Sequence, residues 1–396
     1  MSLFTTTPDF LVREADGDYR PAGTLVLGRG LRVADTAGGI PELLPGSAAE
    51  TVLVPSGGDD AGQIQAALNT SRRVRLAQGT FTVGSTLLLP SGTTLAGSGT
   101  GATQLRVTHN GAGIVTAVGA LLSTIESLRL TGPGKLVGSG TGIVASGGDP
   151  GPETQGIALR DLAVEEFGGS GVYATNVGGF VMRDVAVHRV RYTGVHLAVT
   201  GGGSGRWARL DHVSVSECTD GLIASAFSLI TLSDVGFWTL TGNAVNITGG
   251  AQHVLSAVRV GGAVNGIWVN GAGVAALDGC MVTECVNGFL VQSVTGATLD
   301  ACRAAGCSGT PLTVRGSVSV SVDAFVSDQA GSASTQPHLL VDGSATLVTV
   351  TSFRRVNPAT PPTWEVDVTA AGGRVVFIQH NFDPARTNSG GRFVAL

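Results

Sequence analysis

The chain is poor in charge and contains a single lysine. Among its 396 residues Lys135 is the only lysine, 13% are charged, and the formal net charge is −5. Nucleic-acid binding needs clustered Lys and Arg to neutralise phosphates, so this composition argues against a nucleic-acid partner. No apolar run approaches the length of a membrane-spanning helix, and we therefore expect no membrane insertion. The N-terminus lacks the charged and apolar regions of a secretory signal, so export either uses another route or follows removal of the signal.

Cysteine is also scarce, and several catalytic motifs are missing. Five cysteines are an odd number, which excludes a complete disulfide framework. Cys280 and Cys285 recur one repeat later as Cys302 and Cys307, and Cys218 shares the register of Cys285. This spacing is not that of a zinc site and instead predicts two interior ladders of buried thiols. The chain contains no G-x-S-x-G or H-E-x-x-H motif. We predict no cofactor and no metal site.

What the chain does contain is abundant glycine, with a count of 60, and an internal repeat. Similar segments begin at positions 159, 182, 210, 232, 255, 277 and 299, with spacings of 23, 28, 22, 23, 22 and 22. Each segment continues with an apolar alternation, a Gly or Asn turn and a second short apolar run. A fixed period of this size is typical of a solenoid. Because the units are strands and turns, the sequence predicts an all-β fold, a parallel β-helix with about 22 residues per coil.

The repeat divides the chain into three predicted regions. Residues 1–55 lack the register and are interpreted as an N-terminal arm or attachment head. Residues 56–350 form the β-helix. Residues 351–396 form final coils, a cap or a trimer-forming segment.

One short helix is predicted at the start of the solenoid. Asp60 and Gln63 match a capping box, with Asp60 as the N-cap residue. Ile64, Ala67 and Leu68 then fall on one face. We expect this helix to cover the open end of the first coil, because terminal repeats need caps.

The same region carries a family resemblance. Asp59-Asp60, residues 64–68, Gly79-Thr80-Phe81 and residues 89–95 resemble the start of pectate-lyase-like right-handed β-helix proteins. The repeat extends the resemblance to roughly residue 350. That superfamily includes polysaccharide lyases, glycoside hydrolases and phage tailspikes. The resemblance implies a right-handed coil but not a reaction type, because one fold hosts many chemistries.

Ionisable residues are densest on three consecutive units. Strand alternation places Glu165 and His188 on outward positions, with Glu166, Arg189 and Glu217 at the turn that follows. Two coils separate the backbones of Glu166 and Glu217 by roughly 9–10 Å, near the carboxyl spacing of about 6.5–9.5 Å in inverting glycosidases. The pair could therefore act as acid and base, and Arg189 could neutralise a substrate carboxylate in a lyase. The alternative is a Glu-Arg-Glu ladder that only stabilises adjacent coils.

A second set of outward residues is suited to sugar binding. The run after the Gly turn places aromatic, imidazole and amide side chains in one column, and Trp238 would extend them along one side of the solenoid. The insertion 200–207 adds a groove wall, and residues 133–155 form another insertion near the same coils. Aromatic residues are also favoured at protein interfaces, which is the alternative. The candidate binding residues are Tyr173, His196, Asn246, Trp238, Trp268, Arg206 and Trp207.

Three functions are consistent with these patterns. The first is a phage or phage-like tailspike: a homotrimer on the virion tail, outside the cell, that binds and can cleave a bacterial surface polysaccharide and docks to a tail or baseplate protein through residues 1–55. The second is a stand-alone, secreted polysaccharide hydrolase or lyase. The third is a structural tail component without catalysis.

Overall fold

The structure is a computed structural model that describes most of the chain. The described ranges are 50–147, 154–200, 206–329, 335–343, 347–356, 365–369 and 374–378, with separate strands at 11–13, 19–21, 23–27, 31–35, 387–388 and 392–395. The predicted N-terminal arm, both insertions and the C-terminal region therefore lie partly outside the described residues.

The described residues form 42 short strands and one helix, α1, at Ala61–Thr70. The strands are β1 Leu11–Arg13, β2 Tyr19–Pro21, β3 Gly23–Leu27, β4 Leu31–Asp35, β5 Thr51–Leu53, β6 Arg73–Leu76, β7 Gly79–Val83, β8 Leu87–Leu89, β9 Thr94–Ala96, β10 Thr103–Val107, β11 Ile114–Thr116, β12 Thr124–Thr131, β13 Ile143–Ser146, β14 Thr154–Gln155, β15 Ala158–Glu165, β16 Val172–Thr175, β17 Val177–Gly178, β18 Phe180–His188, β19 Thr193–Ala198, β20 Trp207–Ser216, β21 Asp220–Ser225, β22 Leu229–Ser233, β23 Gly236–Trp238, β24 Asn243–Thr248, β25 Gln252–Ser256, β26 Arg259–Gly261, β27 Asn265–Asn270, β28 Val274–Asp278, β29 Met281–Thr283, β30 Asn287–Gln292, β31 Gly296–Asp300, β32 Arg303–Ala305, β33 Leu312–Arg315, β34 Ser319–Asp323, β35 Phe325–Asp328, β36 Leu339–Asp342, β37 Leu347–Val350, β38 Phe353–Val356, β39 Val366–Val368, β40 Arg374–Phe377, β41 Thr387–Asn388 and β42 Arg392–Ala395.

Most of these strands belong to two long parallel sheets, one of 23 strands and one of 13. Each strand pairs with its counterpart one coil later. Leu162 pairs with Val185, and Val185 pairs with Val213 across the longest of the repeat spacings. Val260 pairs with Val282 in the same way on a later coil. The spacings read from the sequence are thus the strand registers, and the predicted parallel β-solenoid is confirmed.

The coil at residues 158–180 shows how the chain turns. Residues 158–160 form face A and residues 162–165 form face B, both within β15, and β16 forms face C. A residue with positive φ ends each face: Asp161 at 47°, Glu166 at 61° and Asn176 at 53°. These are the first, second and third corners. The left-handed conformation redirects the chain in one residue and lets the ladder resume on the next face.

Alternate residues on each strand fill the interior as predicted. Leu162, Val164, Val185 and Val187 are at most 2% exposed. The five cysteines are buried and free, and Cys280 lies one coil from Cys302 because the Met281–Arg303 register sets them side by side. Burial raises the pKa of the Cys218 thiol to about 11 and that of Cys307 to about 12. Such thiols are protonated and act as packing groups.

A hydrogen-bonded amide ladder joins four coils at the start of face C. Asn243 Nδ2 donates to Asp220 Oδ1 at 3.1 Å, Asn265 Nδ2 to Asn243 Oδ1 at 2.8 Å, and Asn287 Nδ2 to Asn265 Oδ1 at 2.8 Å. Each middle amide donates to the coil before it and accepts from the coil after it. The ladder therefore keeps the turns in vertical register.

Helix α1 covers the first coil, as expected, but the predicted capping box is wrong. Ile64, Ala67 and Leu68 are buried on the face that packs on β5, β6 and β8. Asp60 occupies the N-cap position without a side-chain cap bond. Its carboxylate instead accepts from Ser56 N at 2.8 Å and Thr82 N at 3.0 Å, and from the Gln63 amide. Asp60 joins the helix to the first coils because neighbouring backbone donors compete successfully for its oxygens.

The two ends of the chain differ in strand pairing. Strands β1–β2 and β3–β4 are antiparallel pairs in separate two-stranded sheets, whereas β5 already pairs in parallel with β6. Strands β38 to β42 extend the same two parallel ladders. The helix in the described part of the chain has 10 residues, too few to cross a membrane.

Candidate functional site

The predicted ionisable cluster forms where face B meets the second corner. Glu165 was expected to project into solvent, but it is only 5% exposed. His188 Nε2 lies 2.9 Å from Glu165 Oε2, and Arg189 Nη2 donates to the same oxygen at 3.1 Å. Thr131 Oγ1 donates to Oε1 at 3.1 Å, and Arg129 lies 3.8 Å from it. Both oxygens are occupied, so Glu165 has the surroundings of a structural carboxylate.

The second corner stacks Glu166, Arg189 and Glu217 on consecutive coils with φ values of 61°, 52° and 57°. Arg189 Nε lies 2.7 Å from Glu166 Oε1, without hydrogen-bond alignment. The backbone N–H of Lys135 donates a hydrogen bond to Glu166 Oε2 at 3.3 Å. The side-chain ammonium group of Lys135 donates to the backbone carbonyl oxygen of Glu217. The segment around Lys135 thus crosses the Arg189 coil and connects the coils of the two glutamates.

Glu217 has different surroundings from the other carboxylates. Its side chain is exposed and makes no ion pair among the described residues. Trp238 lies one coil further on, and Glu217 N donates to Trp238 O at 3.2 Å. A Cβ on Gly236 would lie 2.8 Å from the indole Nε1, and one on Gly261 would lie 2.7 Å from Cε3. The indole therefore lies along the sheet surface, where 40% of the residue remains exposed.

The second predicted column lies on face C. Tyr173, His196, Asn246 and Trp268 occupy one register through five consecutive coils, with Ile223 between His196 and Asn246. The Tyr173 and His196 rings meet edge to face at 5.0 Å. Burial lowers the pKa of His196 although Asp220 acts in the opposite direction. The sequence therefore identified this column correctly.

Trp238 does not belong to that column. It lies in β23 of the 23-stranded sheet, whereas the column runs through the 13-stranded sheet. The prediction that Trp238 and this column form one continuous side of aromatic and amide groups is thus wrong, because the second corner separates face B, which carries Trp238, from face C. Trp268 is half-buried, and its Nε1 has no hydrogen-bond partner within the described coils.

The two residues predicted at the insertion 200–207 have different environments. Arg206 is 5% exposed, and Trp207 is 43% exposed. Trp207 lines an open groove of about 570 Å³ on face A. The groove's charged residues come from three coils, and the sequence pattern did not group them as a site. They are Arg160, Asp161, Arg183, Asp184, Arg209 and Asp211.

Aspartates occupy or adjoin the first corner of several coils. Asp161, Asp184 and Asp234 have the positive φ of the first corner. Asp323 lies one residue before the corner, which Ala324 occupies with its positive φ, and Asp323 pairs with Asp300 on the preceding coil. No group of three or more His, Cys, Asp or Glu residues in the described ranges is arranged to hold a metal ion.

Comparison with known proteins gives matches only among solved structures. No protein-family profile matches the sequence, and no curated protein does. The chain is similar to the Dettilon tailspike protein, with TM-score 0.55 and 12% identity over 87% of this chain and 68% of that one. It is also similar to bacteriophage CBA120 tailspike protein 3, with TM-score 0.55 and 9% identity over 86% and 57% of the two chains.

A third similar structure is the catalytic domain of a GH87 alpha-1,3-glucanase variant in complex with tetrasaccharides. Its TM-score is 0.50, with 12% identity over 92% of this chain and 70% of that one. At these identities the likeness concerns the fold. The chain has the right-handed parallel β-helix fold that the repeat and the resemblance predicted.

Proposed function

We propose that this protein is a tailspike-like glycan-binding protein whose solenoid surface holds a bacterial surface polysaccharide. The observation that carries the proposal is the exposed indole of Trp238, laid against Gly236 and Gly261, one coil beyond the exposed residue Glu217. An aromatic face held flat is a stacking surface for a sugar ring, and a carboxylate accepts hydrogen bonds from sugar hydroxyls. The tailspike fold of the similar structures supports this assignment.

Cleavage of the bound glycan is a second proposed function. Glu217 is exposed, and Glu166 lies two coils away at the same corner. Their backbones are about 10 Å apart at strand spacing, close to the carboxyl separation of about 6.5–9.5 Å in inverting glycosidases. Hydrolysis would use one as acid and the other as base. Lyase chemistry is less well supported, because Arg189 is engaged by Glu165 and Glu166.

Mixing the purified protein with a panel of bacterial surface polysaccharides tests both functions. We expect binding that weakens up to about tenfold in Trp238→Ala, since a lost aromatic stacking contact costs roughly 0.5–1.5 kcal/mol. Hydrolysis gives products with saturated ends, and Glu217→Gln and Glu166→Gln should each abolish them. Binding without cleavage products would support the glycan-binding function and contradict the proposed catalytic function. No binding to any polysaccharide would contradict the proposal.

The assembly proposed with this function is a homotrimer on a phage tail, with residues 1–55 docking to a tail or baseplate protein. The positive mean hydropathy of +0.29 and exposed apolar pairs such as Val264 and Val286 on adjacent coils support self-association. Sedimentation equilibrium should give three times the chain mass. A monomer would favour a stand-alone secreted enzyme, and intact virion assembly without glycan binding would favour a structural tail component.

A further inference from the structure

The groove on face A differs from the cluster on face B in how its charges are paired. Arg183 Nε lies 3.6 Å from Asp184 and 3.9 Å from Asp211, and Arg209 lies 3.6 Å from Asp211. These distances exceed those of a hydrogen bond. Arg160 and Asp161 have no ion pair among the described residues. The groove therefore offers hydrogen-bonding groups that its own ion pairs leave available.

The arginines are also stacked in an unfavourable order. Arg160 pairs in register with Arg183 on the next coil, so the backbones of the two residues lie about 4.8 Å apart. Their guanidinium groups therefore project from the same column. Like charges directly opposite each other on neighbouring strands are destabilising. Carboxylates flank this pair of arginines, since Asp211 lies beyond Arg183 and Glu126, which pairs with Arg73, lies before Arg160. An anion between Arg160 and Arg183 would remove this repulsion.

Trp207 supplies an apolar wall to the same groove. A Cβ on Gly179 would lie 3.3 Å from Trp207 Cζ2, so this glycine leaves space for the indole to pack closely. The residue remains 43% exposed. Val181 contributes a half-buried aliphatic side chain nearby. One aromatic face beside several charged groups is suited to a sugar ring that carries its own charge.

We propose that this groove is a binding subsite for a carboxylate-bearing sugar unit of the glycan. The inference depends on the proposed glycan-binding function and specifies its substrate class. Arg160 and Arg183 would bind the sugar carboxylate, since guanidinium groups recognise carboxylates in a bidentate fashion. Trp207 stacks on the ring, and Asp161 and Asp184 accept hydrogen bonds from its hydroxyls.

The experiment measures binding of acidic and neutral bacterial surface polysaccharides, with each acidic one repeated after its carboxyl groups are reduced to hydroxyls. We expect affinity for an acidic polysaccharide to fall about 10- to 100-fold on carboxyl reduction, in Arg160→Gln and in Trp207→Ala. Binding should also weaken with added salt. Arg160→Lys keeps the charge but loses the planar fork, and should give an intermediate loss.

Arg354→Gln is the matched control, because Arg354 is an exposed arginine of the same sheet that lies outside the groove and far along the ladder from Trp238. Its affinity should equal that of the unmodified protein. Binding that survives carboxyl reduction, or that ignores Arg160→Gln and Trp207→Ala, would overturn the subsite and leave glycan binding intact. Failure to bind any polysaccharide would instead contradict the proposed function, and the subsite with it.

Discussion

Glu165 is enclosed by four polar side chains, whereas Glu217 projects from the second corner without an ion pair in the described residues. The two glutamates should therefore respond oppositely to mutation. An enclosed carboxylate holds its neighbours in place, and its removal deprives several donors of a shared acceptor. An exposed one contributes little to stability and is available to a ligand.

Glu165→Ala should lower the free energy of unfolding by about 1–3 kcal/mol, because His188, Arg129 and Arg189 would lose their common partner. Glu217→Ala, the matched control, should change it by less than about 0.5 kcal/mol. Thermal unfolding followed by circular dichroism measures both. Equal losses in the two variants would contradict the structural role of Glu165.

At the residue scale, local spacing predicted which side chains share a corner but not which carboxylate is enclosed. Strand alternation has a period of two, so Glu165 was assigned to the outside. The residues that cover it are Arg129 on the preceding coil and His188 and Arg189 on the following one. Their side-chain reach across coils depends on packing and has no signature in the repeat.

At the element scale, the amide ladder and the helix cap keep the coils in register. Each middle Asn of the ladder is satisfied by its neighbours above and below. Removing a middle member leaves one donor and one acceptor unpaired. The ladder should therefore be sensitive at its two middle members, Asn243 and Asn265.

Asn265→Ala should cost about 1–3 kcal/mol of unfolding free energy, since Asn243 and Asn287 both lose a bond. Asn270→Ala is the control. It lies on the same strand, and its side chain makes no hydrogen bond in the described residues. Urea unfolding should show the difference in midpoint, and similar midpoints for the two variants would show that the ladder adds no stability.

Acid should loosen the attachment of α1. Burial by itself would raise the pKa of Asp60. Hydrogen bonds from Ser56, Thr82 and Gln63 outweigh this effect, so the pKa lies below its ordinary value of 3.8. A lowered folded pKa means that the carboxylate stabilises the cap above pH 3.8 and loses this effect as the pH falls through the lowered value. The protection of the α1 amides from hydrogen exchange, relative to the intrinsic exchange rate at each pH, should therefore decrease below about pH 4.

Asp60→Asn should give faster α1 exchange already at pH 7, with a weaker acid dependence. The amide group would turn a donor toward Thr82 N–H or Ser56 N–H, which are themselves donors. Amides of the late coils should be unaffected, because each coil contacts only its neighbours. Uniform acceleration along the whole solenoid would argue against a local cap.

At the scale of the whole molecule, one buried histidine should make the solenoid sensitive to mild acid. His253 is fully buried, its Nε2 is 2.8 Å from Gly249 O, and its Nδ1 has no partner in the described coils. Burial lowers its pKa below the ordinary 6.5. The folded protein then binds fewer protons than the unfolded chain, so stability is full above about pH 6.5 and declines as the pH falls toward the folded pKa.

The melting temperature should consequently decrease between pH 7 and pH 5, before the carboxylates titrate. His253→Gln retains a donor for Gly249 O and removes the titrating ring, so its melting temperature should change less over this range. Differential scanning calorimetry at both pH values tests this. Parallel slopes for the two proteins would assign the acid sensitivity to other groups.

The sequence by itself determined the coil period, the inward and outward positions, the cysteine ladders and the corner column of Glu166, Arg189 and Glu217. These features follow from local alternation and a nearly constant repeat length, both of which can be counted along the chain. Only the tertiary structure decided that Trp238 and Trp268 lie on different faces and that Trp207 joins Arg160 in one groove. The left-handed corners set the direction in which each face points, and the enlarged coil between β18 and β20 sets where Trp207 lies beside the preceding coils. Neither feature follows from the apolar pattern.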